Sequence, residues 1–223
     1  RDSEERDRSL SQLQSGLTRA AHLVDQMLHL ARLDPESGLP NPQAVDLAAL
    51  AEEVCADLGP QILARNIEFD LTATPDSKVT GQAEWLRVLI RNLVDNAVRY
   101  TPQGGRVEIT TFRKGTSLFI QVDDSGPGIP EHERRRMFER FERLHTDHEA
   151  GVGLGLSIVR AVAEAHGAWV ALLDSHLGGL RVVVEFIDRS AEAPPHTVGF
   201  AEATAADAER DSRHVPEAPR AFG

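Results

Sequence analysis

Asp124, Gly126 and Gly128 stand where an apolar alternation runs into a turn, in the stretch Gln-Val-Asp-Asp-Ser-Gly-Pro-Gly-Ile at 121–129. A carboxylate at the end of a strand can accept a hydrogen bond from an exocyclic amine. Glycines beside it let the backbone approach a ligand closely. A second glycine-rich stretch, Gly-Val-Gly-Leu-Gly-Leu-Ser-Ile-Val at 151–159, opens an apolar-periodic helix. Helix N-termini present free N–H groups to phosphate. Together the two stretches describe a pocket that reads a purine at one end and phosphates at the other. Neither suffices alone, because such glycine patterns are common in ordinary turns. The dinucleotide fingerprint fails on context, since the glycine loop comes late rather than on a first strand–helix turn. No Gly-Lys-Ser or Gly-Lys-Thr occurs, so a Walker-type loop is absent.

A third element decides between these readings. In Arg-Asn-Leu-Val-Asp-Asn-Ala-Val-Arg-Tyr-Thr-Pro at 91–102, Leu93, Val94 and Ala97 continue an apolar helical face begun by Leu86, Leu89 and Ile90. Asn92 and Asn96 lie one turn apart on another face. Stacked amides offer oxygens to a hard cation such as Mg²⁺, which keeps several waters. Arg99 follows within reach of the same phosphates. The plainer alternative is a polar face turned to water. Against it, asparagine is a poor helix former, and two of them interrupt a strong helix.

With Met-Phe-Glu-Arg-Phe-Glu-Arg at 137–143 added, the chain resembles the sensor histidine kinases, specifically their ATP-binding catalytic domain within the gyrase–Hsp90–MutL superfamily. Residues 91–102 match the N box, 124–128 the first glycine box, 137–143 the F box and 151–156 the second glycine box. The match spans residues 45–188. It implies that Asp124 binds the adenine amino group and that Asn96 holds Mg²⁺, with Asn92, Asn96 and Arg99 as the catalytic set. The implied ATP contacts are Asn92, Asn96, Arg99, Tyr100, Asp124, Gly126, Gly128 and Ile129. They continue with Phe138, Arg140 and Arg143 from the F box and with Gly151, Val152, Gly153, Leu154, Gly155 and Leu156 from the second glycine box. Asn92 stands where the gyrase and Hsp90 relatives carry a water-activating glutamate. An amide is no general base, which suits a kinase that shields ATP from hydrolysis.

The elements that must position these groups read as an α+β chain rather than a doubly wound sheet. Helices are expected over 45–65, the N-box segment, 131–140 and 153–166. Strands are expected at 68–72 and 78–80, with hairpins of 106–112 with 117–122 and of 168–173 with 180–187. The resemblance implies a two-layer α/β sandwich of Bergerat type, with an N-terminal helix and a disordered C-terminal tail. Residues 1–36 resemble the second helix of a dimerisation hairpin, with apolar residues from Leu10 to Ala31 at helical spacing. A linker occupies 37–44, the catalytic domain 45–189 and a flexible tail 190–223. The span Glu142–Ala150 has almost no apolar anchor and is expected to act as a mobile lid, with Phe138 and Phe141 packing its base.

The sequence holds 41% hydrophobic residues, enough for a core, and its single cysteine, Cys55, allows no internal disulfide. A reducing compartment follows, and the net charge of −11 argues against nucleic acid as a partner. No apolar run is long enough to cross a bilayer. The resemblance implies a cytoplasmic fragment of a protein anchored in the bacterial inner membrane through upstream segments. It also implies a homodimer through the full hairpin and a response regulator as partner. The family's acceptor histidine, followed by an acid and then Leu-Arg-Thr-Pro, has no counterpart here. His22 and His29 lack those neighbours, and His145 and His148 lack the further ligands of a metal site. None of the nine histidines is therefore expected to become stably phosphorylated. Two other classes compete. An ATPase or chaperone-type relative is disfavoured by Asn92 and the F box, and a binding-only module by the intact Asp124, Asn96 and glycines.

Overall fold

The computed structural model describes Leu39, residues 41–139, Glu142 and residues 153–187. The readings for the N-terminal helix, most of the lid and the tail lie outside the described residues. In chain order the elements are β1 (Gln43–Asp46), α1 (Leu47–Ala64), β2 (Glu68–Ala73), β3 (Lys78–Gly81) and α2 (Ala83–Tyr100). Next come β4 (Arg106–Lys114), β5 (Ser117–Asp124), α3 (Glu131–Arg134) and a 3-10 turn (Arg136–Phe138). The last are α4 (Gly155–Ala165), β6 (Trp169–Asp174) and β7 (Leu180–Ile187).

Five strands form one sheet in the order β2-β4-β5-β7-β6, with β2 parallel to β4 and the remaining pairs antiparallel. A two-stranded antiparallel ribbon of β1 and β3 stands apart from it. Strand alternation assigns the faces. Val107 and Ile109, then Leu118, Ile120 and Val122, then Val182, Val184 and Phe186 are all buried, whereas the residues between them are more open. The buried face takes α2, which packs between α1 and α4 and against β5. The α+β two-layer expectation holds.

The core on α2 is Leu86, Leu89, Ile90, Leu93 and Val94, and each is essentially without solvent contact. Burying one such Leu or Ile contributes about 1.5–3 kcal/mol. The ion pairs Arg87–Glu53 and Arg91–Asp57, which join α2 to α1 on the solvent side, are each worth at most about 1 kcal/mol. Apolar packing therefore sets the position of α2.

His166, just past α4, fastens that helix to the start of α2. Its Nδ1 lies 2.7 Å from Val162 O and its Nε2 accepts from Gln82 N at 3.2 Å. A carbonyl only accepts, so Nδ1 carries the proton and the ring is neutral. Burial lowers its proton affinity, partly offset by the Val162 carbonyl. Trp85 meets the same ring edge-on, with centroids 6.3 Å apart. Trp169, on edge strand β6, is 64% exposed.

Two expected elements differ in kind from the structure, and others differ in their bounds. The helix expected from residue 45 begins at Leu47, because Gln43–Asp46 is a strand paired with Lys78–Gly81. Asp46 caps the helix instead, its Oδ1 accepting from Ala48 N and Ala49 N. The helix expected over 131–140 is a single turn at Glu131–Arg134 followed by the 3-10 turn. Glu139 is extended, and the tighter turn directs Met137 into the core with Phe138 packed against it. The last helix runs from Gly155 to Ala165, shorter at both ends than 153–166. The strands expected at 68–72, 78–80, 106–112 and 117–122 extend to Ala73, Gly81, Lys114 and Asp124, and β6 starts one residue later than expected, at Trp169.

Candidate active site

Asp124 ends β5 with its side chain on the helix-covered face, 5% exposed. Its Oδ1 accepts from Gly126 N at 2.8 Å and from Leu180 N at 3.0 Å. Both of these bonds fall on Oδ1, and neither engages Oδ2. Burial raises its proton affinity; the two N–H groups oppose that and the Asp123 charge adds to it. The result is a carboxylate with one oxygen tied down and one left to accept. That is the arrangement for recognising an amine.

The glycines around it are required by close backbone contact. A Cβ on Gly126 would lie 2.7 Å from Tyr100 O, so the glycine loop rests against the last turn of α2. Gly128 adopts φ 68°, a left-handed conformation that favours glycine, and lies against the Gly179 backbone. Ile129 follows, half-buried against the core, and its carbonyl accepts from Arg134 Nε at 2.9 Å. Arg134 also pairs with Asp174 and reaches Leu172 O, so α3 clamps the loop to the end of β6.

Four residues before Tyr100, Asn96 meets the second glycine stretch. A Cβ on Gly155 would lie 2.8 Å from Asn96 Nδ2 and 2.9 Å from its Oδ1. Gly155 is the first residue of α4, and no side chain caps that helix. Gly153 has φ 73°, Leu154 is buried, and Leu156 packs against the core. One turn back on α2, Asn92 is buried and its Nδ2 donates to Val88 O at 2.8 Å, so its amide is not part of a water-facing stripe. Arg99 is engaged by Asp95 at 2.8 Å on the same helix. Phe138 packs against the core with the Arg160 guanidinium 6.0 Å from its ring centre. Arg140, Arg143, Gly151 and Val152 lie outside the described residues.

The structure therefore brings Asp124, Gly126, Gly128, Ile129 and Tyr100 into one cluster, and Asn96 and Gly155 into another. Helix α2 joins the two. Among the described residues no cluster of three or more His, Cys, Asp or Glu could hold a metal by itself. A cation here would draw on Asn96 and on ligands the nucleotide brings. That fits Mg²⁺, an oxygen-seeking ion that binds to few protein groups beside phosphates.

Gly179 and the Leu180 N–H were missed as site groups, because Gly178-Gly179 reads as a hairpin turn. Gly178 does take φ 95°, as a turn glycine would. Gly179 does not, and its reason is contact: a Cβ there would lie 2.2 Å from Asp124 Oδ1. An adjacent glycine pair, of which a turn needs only one, was the available signal.

Comparison with known proteins bears on the family and the fold. A family model described as histidine kinase-, DNA gyrase B-, and HSP90-like ATPase matches residues 81–190. The sensor protein QseC of Escherichia coli K12 is 39% identical over 186 residues, covering 83% of this chain and 40% of that protein. The chain thus spans well under half the length of this curated relative. The solved cytoplasmic segment of histidine kinase QseC is 32% identical, with TM-score 0.55, covering 77% of this chain and 95% of that one. Full-length ShkA, solved in complex with AMPPNP, is 29% identical with TM-score 0.68, covering 83% of this chain and 39% of that one. Fold, ATPase-family match and near-complete overlap with a kinase segment place this chain among the sensor histidine kinases, as a bearer of their ATP-binding domain.

Proposed function

We propose that the chain binds Mg-ATP and transfers its γ-phosphate to a histidine held on a dimerisation hairpin, from which it passes to a response regulator. The observation that carries this reading is Asp124, with Oδ1 held by two N–H groups and Oδ2 left to take the adenine amino group. The nucleotide complex of ShkA supports it by analogy. The intact protein would be a homodimer through that hairpin and anchored in a membrane by segments upstream; among the described residues no helix is long and apolar enough to cross one.

In the transfer, the acceptor imidazole nitrogen attacks the γ-phosphorus, the bond to the β–γ bridging oxygen breaks, and ADP leaves. Such transfers depend on positioning and charge neutralisation. Asp124 fixes the base, and the glycine backbone at Gly153 and Gly155 admits the phosphates. Asn96 would hold Mg²⁺, which, when bound, neutralises developing phosphate charge. Asn92 has no ionisable group with which to activate water, so hydrolysis is disfavoured. Arg99 would steer the phosphates once exchanged from Asp95. The roles of Tyr100, Ile129, Phe138, Leu154 and Leu156 are to wall the pocket. Arg140, Arg143, Gly151 and Val152 complete the proposed ATP contacts.

The test mixes the chain with γ-labelled ATP and a separately made acceptor hairpin. Label on the hairpin supports the kinase. Free phosphate as the main product would make the chain an ATPase, and neither outcome would leave a binding module. In the same assay Asn96→Ala should abolish transfer and weaken Mg-ATP more than metal-free ATP. Equal weakening would remove Asn96 from the metal.

A further inference from the structure

The residue beside the adenine-facing carboxylate is itself a buried carboxylate, and nothing in the proposed chemistry uses it. Asp123 points to the opposite sheet face and is 1% exposed. A buried charge survives only if donors surround it. Asp123 Oδ1 receives Ser175 Oγ at 2.8 Å and Arg181 Nε at 2.8 Å, and its Oδ2 receives Gln121 Nε2 at 2.6 Å. Ser175 and Arg181 flank the turn between β6 and β7. Within that turn Ser175 Oγ also accepts from Leu177 N at 3.1 Å, Ser175 N donates to Gly179 O at 2.9 Å, and Gly178 N donates to Ser175 O at 3.0 Å. The same turn presents Leu180 N to Asp124 Oδ1 and lays Gly179 over it.

On this basis we infer that Asp123 and Ser175 are positioning residues for base selection: they seat the β6–β7 turn, and the turn holds Asp124 so that only Oδ2 faces the base. The inference rests on the reading of Asp124 as the adenine ligand. Adenine offers an amino group at the position where guanine carries a carbonyl. A rigid carboxylate therefore attracts ATP and repels GTP, whereas a carboxylate free to swing does both less well. Selectivity is the property that this anchoring controls.

The experiment titrates the full chain and its Ser175→Ala, Ser175→Thr and Asp123→Asn variants with ATP and with GTP, with thermal unfolding followed in parallel. Ser175→Ala and Asp123→Asn should lower the ATP-over-GTP preference by about tenfold, the order expected for misplacing one hydrogen bond to a charged group. Ser175→Thr keeps the hydroxyl and should keep the preference. A role in stability alone would lower the melting temperature and leave the ratio untouched; an unchanged ratio in the folded Ser175→Ala chain overturns the inference. Should Asp123→Asn fail to fold, Ser175→Ala, which removes one hydroxyl and no charge, decides. A wild-type chain that shows no preference for ATP overturns the Asp124 reading, and this inference with it. A selective wild type with equally selective variants overturns this inference alone.

Discussion

Replacing Asp124 with asparagine should separate binding from stability, with effects of opposite sign. The substitution preserves shape. The amide oxygen can take the place of Oδ1 and still accept from Gly126 N and Leu180 N. The NH₂ group then replaces Oδ2, turning the base-facing acceptor into a donor opposite the adenine amine. The loss is one charge-assisted hydrogen bond, about 1.5–3 kcal/mol. That corresponds to roughly ten- to a hundredfold in the ATP dissociation constant. Stability should move the other way. Burial raises the proton affinity of Asp124 above its ordinary value of 3.8. A carboxyl raised in this way favours the fold while protonated, and that contribution is lost as pH rises through its folded pKa. At neutral pH the ionised group therefore costs stability that an uncharged amide does not. Calorimetric titration beside thermal unfolding should show ATP affinity down and melting temperature unchanged or higher. Unchanged affinity would refute the base-recognition argument. Affinity lost together with a fall in melting temperature would show that the carboxylate holds the loop together, and the reasoning about Oδ2 would fail.

Gly155→Ala would bring a methyl group into the space of the Asn96 amide, a movable side-chain end, so the chain should still fold. Mg-ATP affinity should fall about tenfold while metal-free ATP loses less; equal losses would count against the Asn96 assignment. Acidification should destabilise the domain through His166, because the unfolded chain takes up the proton more readily than the buried ring does. The stability it contributes is complete above about 6.5 and falls as pH drops below that value; His166→Gln should flatten this slope in unfolding measured against pH. Cys55 is pushed from 9.0 up to about 11, by burial first and by the Glu52 charge second. Its thiol should react with a disulfide reagent about a hundredfold more slowly than a free cysteine at neutral pH, and rapid labelling of the folded chain would contradict its burial.

The parts of the fold most visible in the sequence are those set by local pattern. The six apolar positions of α2 recur at helical spacing and all lie in the core. The alternation of β4 and β5 around Lys114-Gly115 gives the hairpin, and Asp124 stands where that alternation ends. Pairings with distant segments were hidden. Val45 and Asp46 look like the start of a helix because the apolar positions run on into Leu47, and only the pairing of Gln43–Asp46 with Lys78–Gly81 makes them a strand. The support behind Asp124 was hidden for the same reason: Ser175 and Arg181 reach Asp123 across strands that the sequence keeps far apart. One local sign was there to read, since Asp46 before Leu-Ala-Ala-Leu is a helix cap.

The two tryptophans give the chain its own optical readout. Trp85 is buried beside the His166 ring, whereas Trp169 looks into water from the edge of the sheet, and the sequence has no others. Emission from the folded chain should therefore resolve into a blue component from Trp85 and a red one from Trp169. Unfolding moves only the blue component. Acid that charges His166 should quench that same component before any shift in wavelength, since an imidazolium beside an indole ring draws on its excited state. Trp169 stays constant throughout and serves as an internal reference within one spectrum.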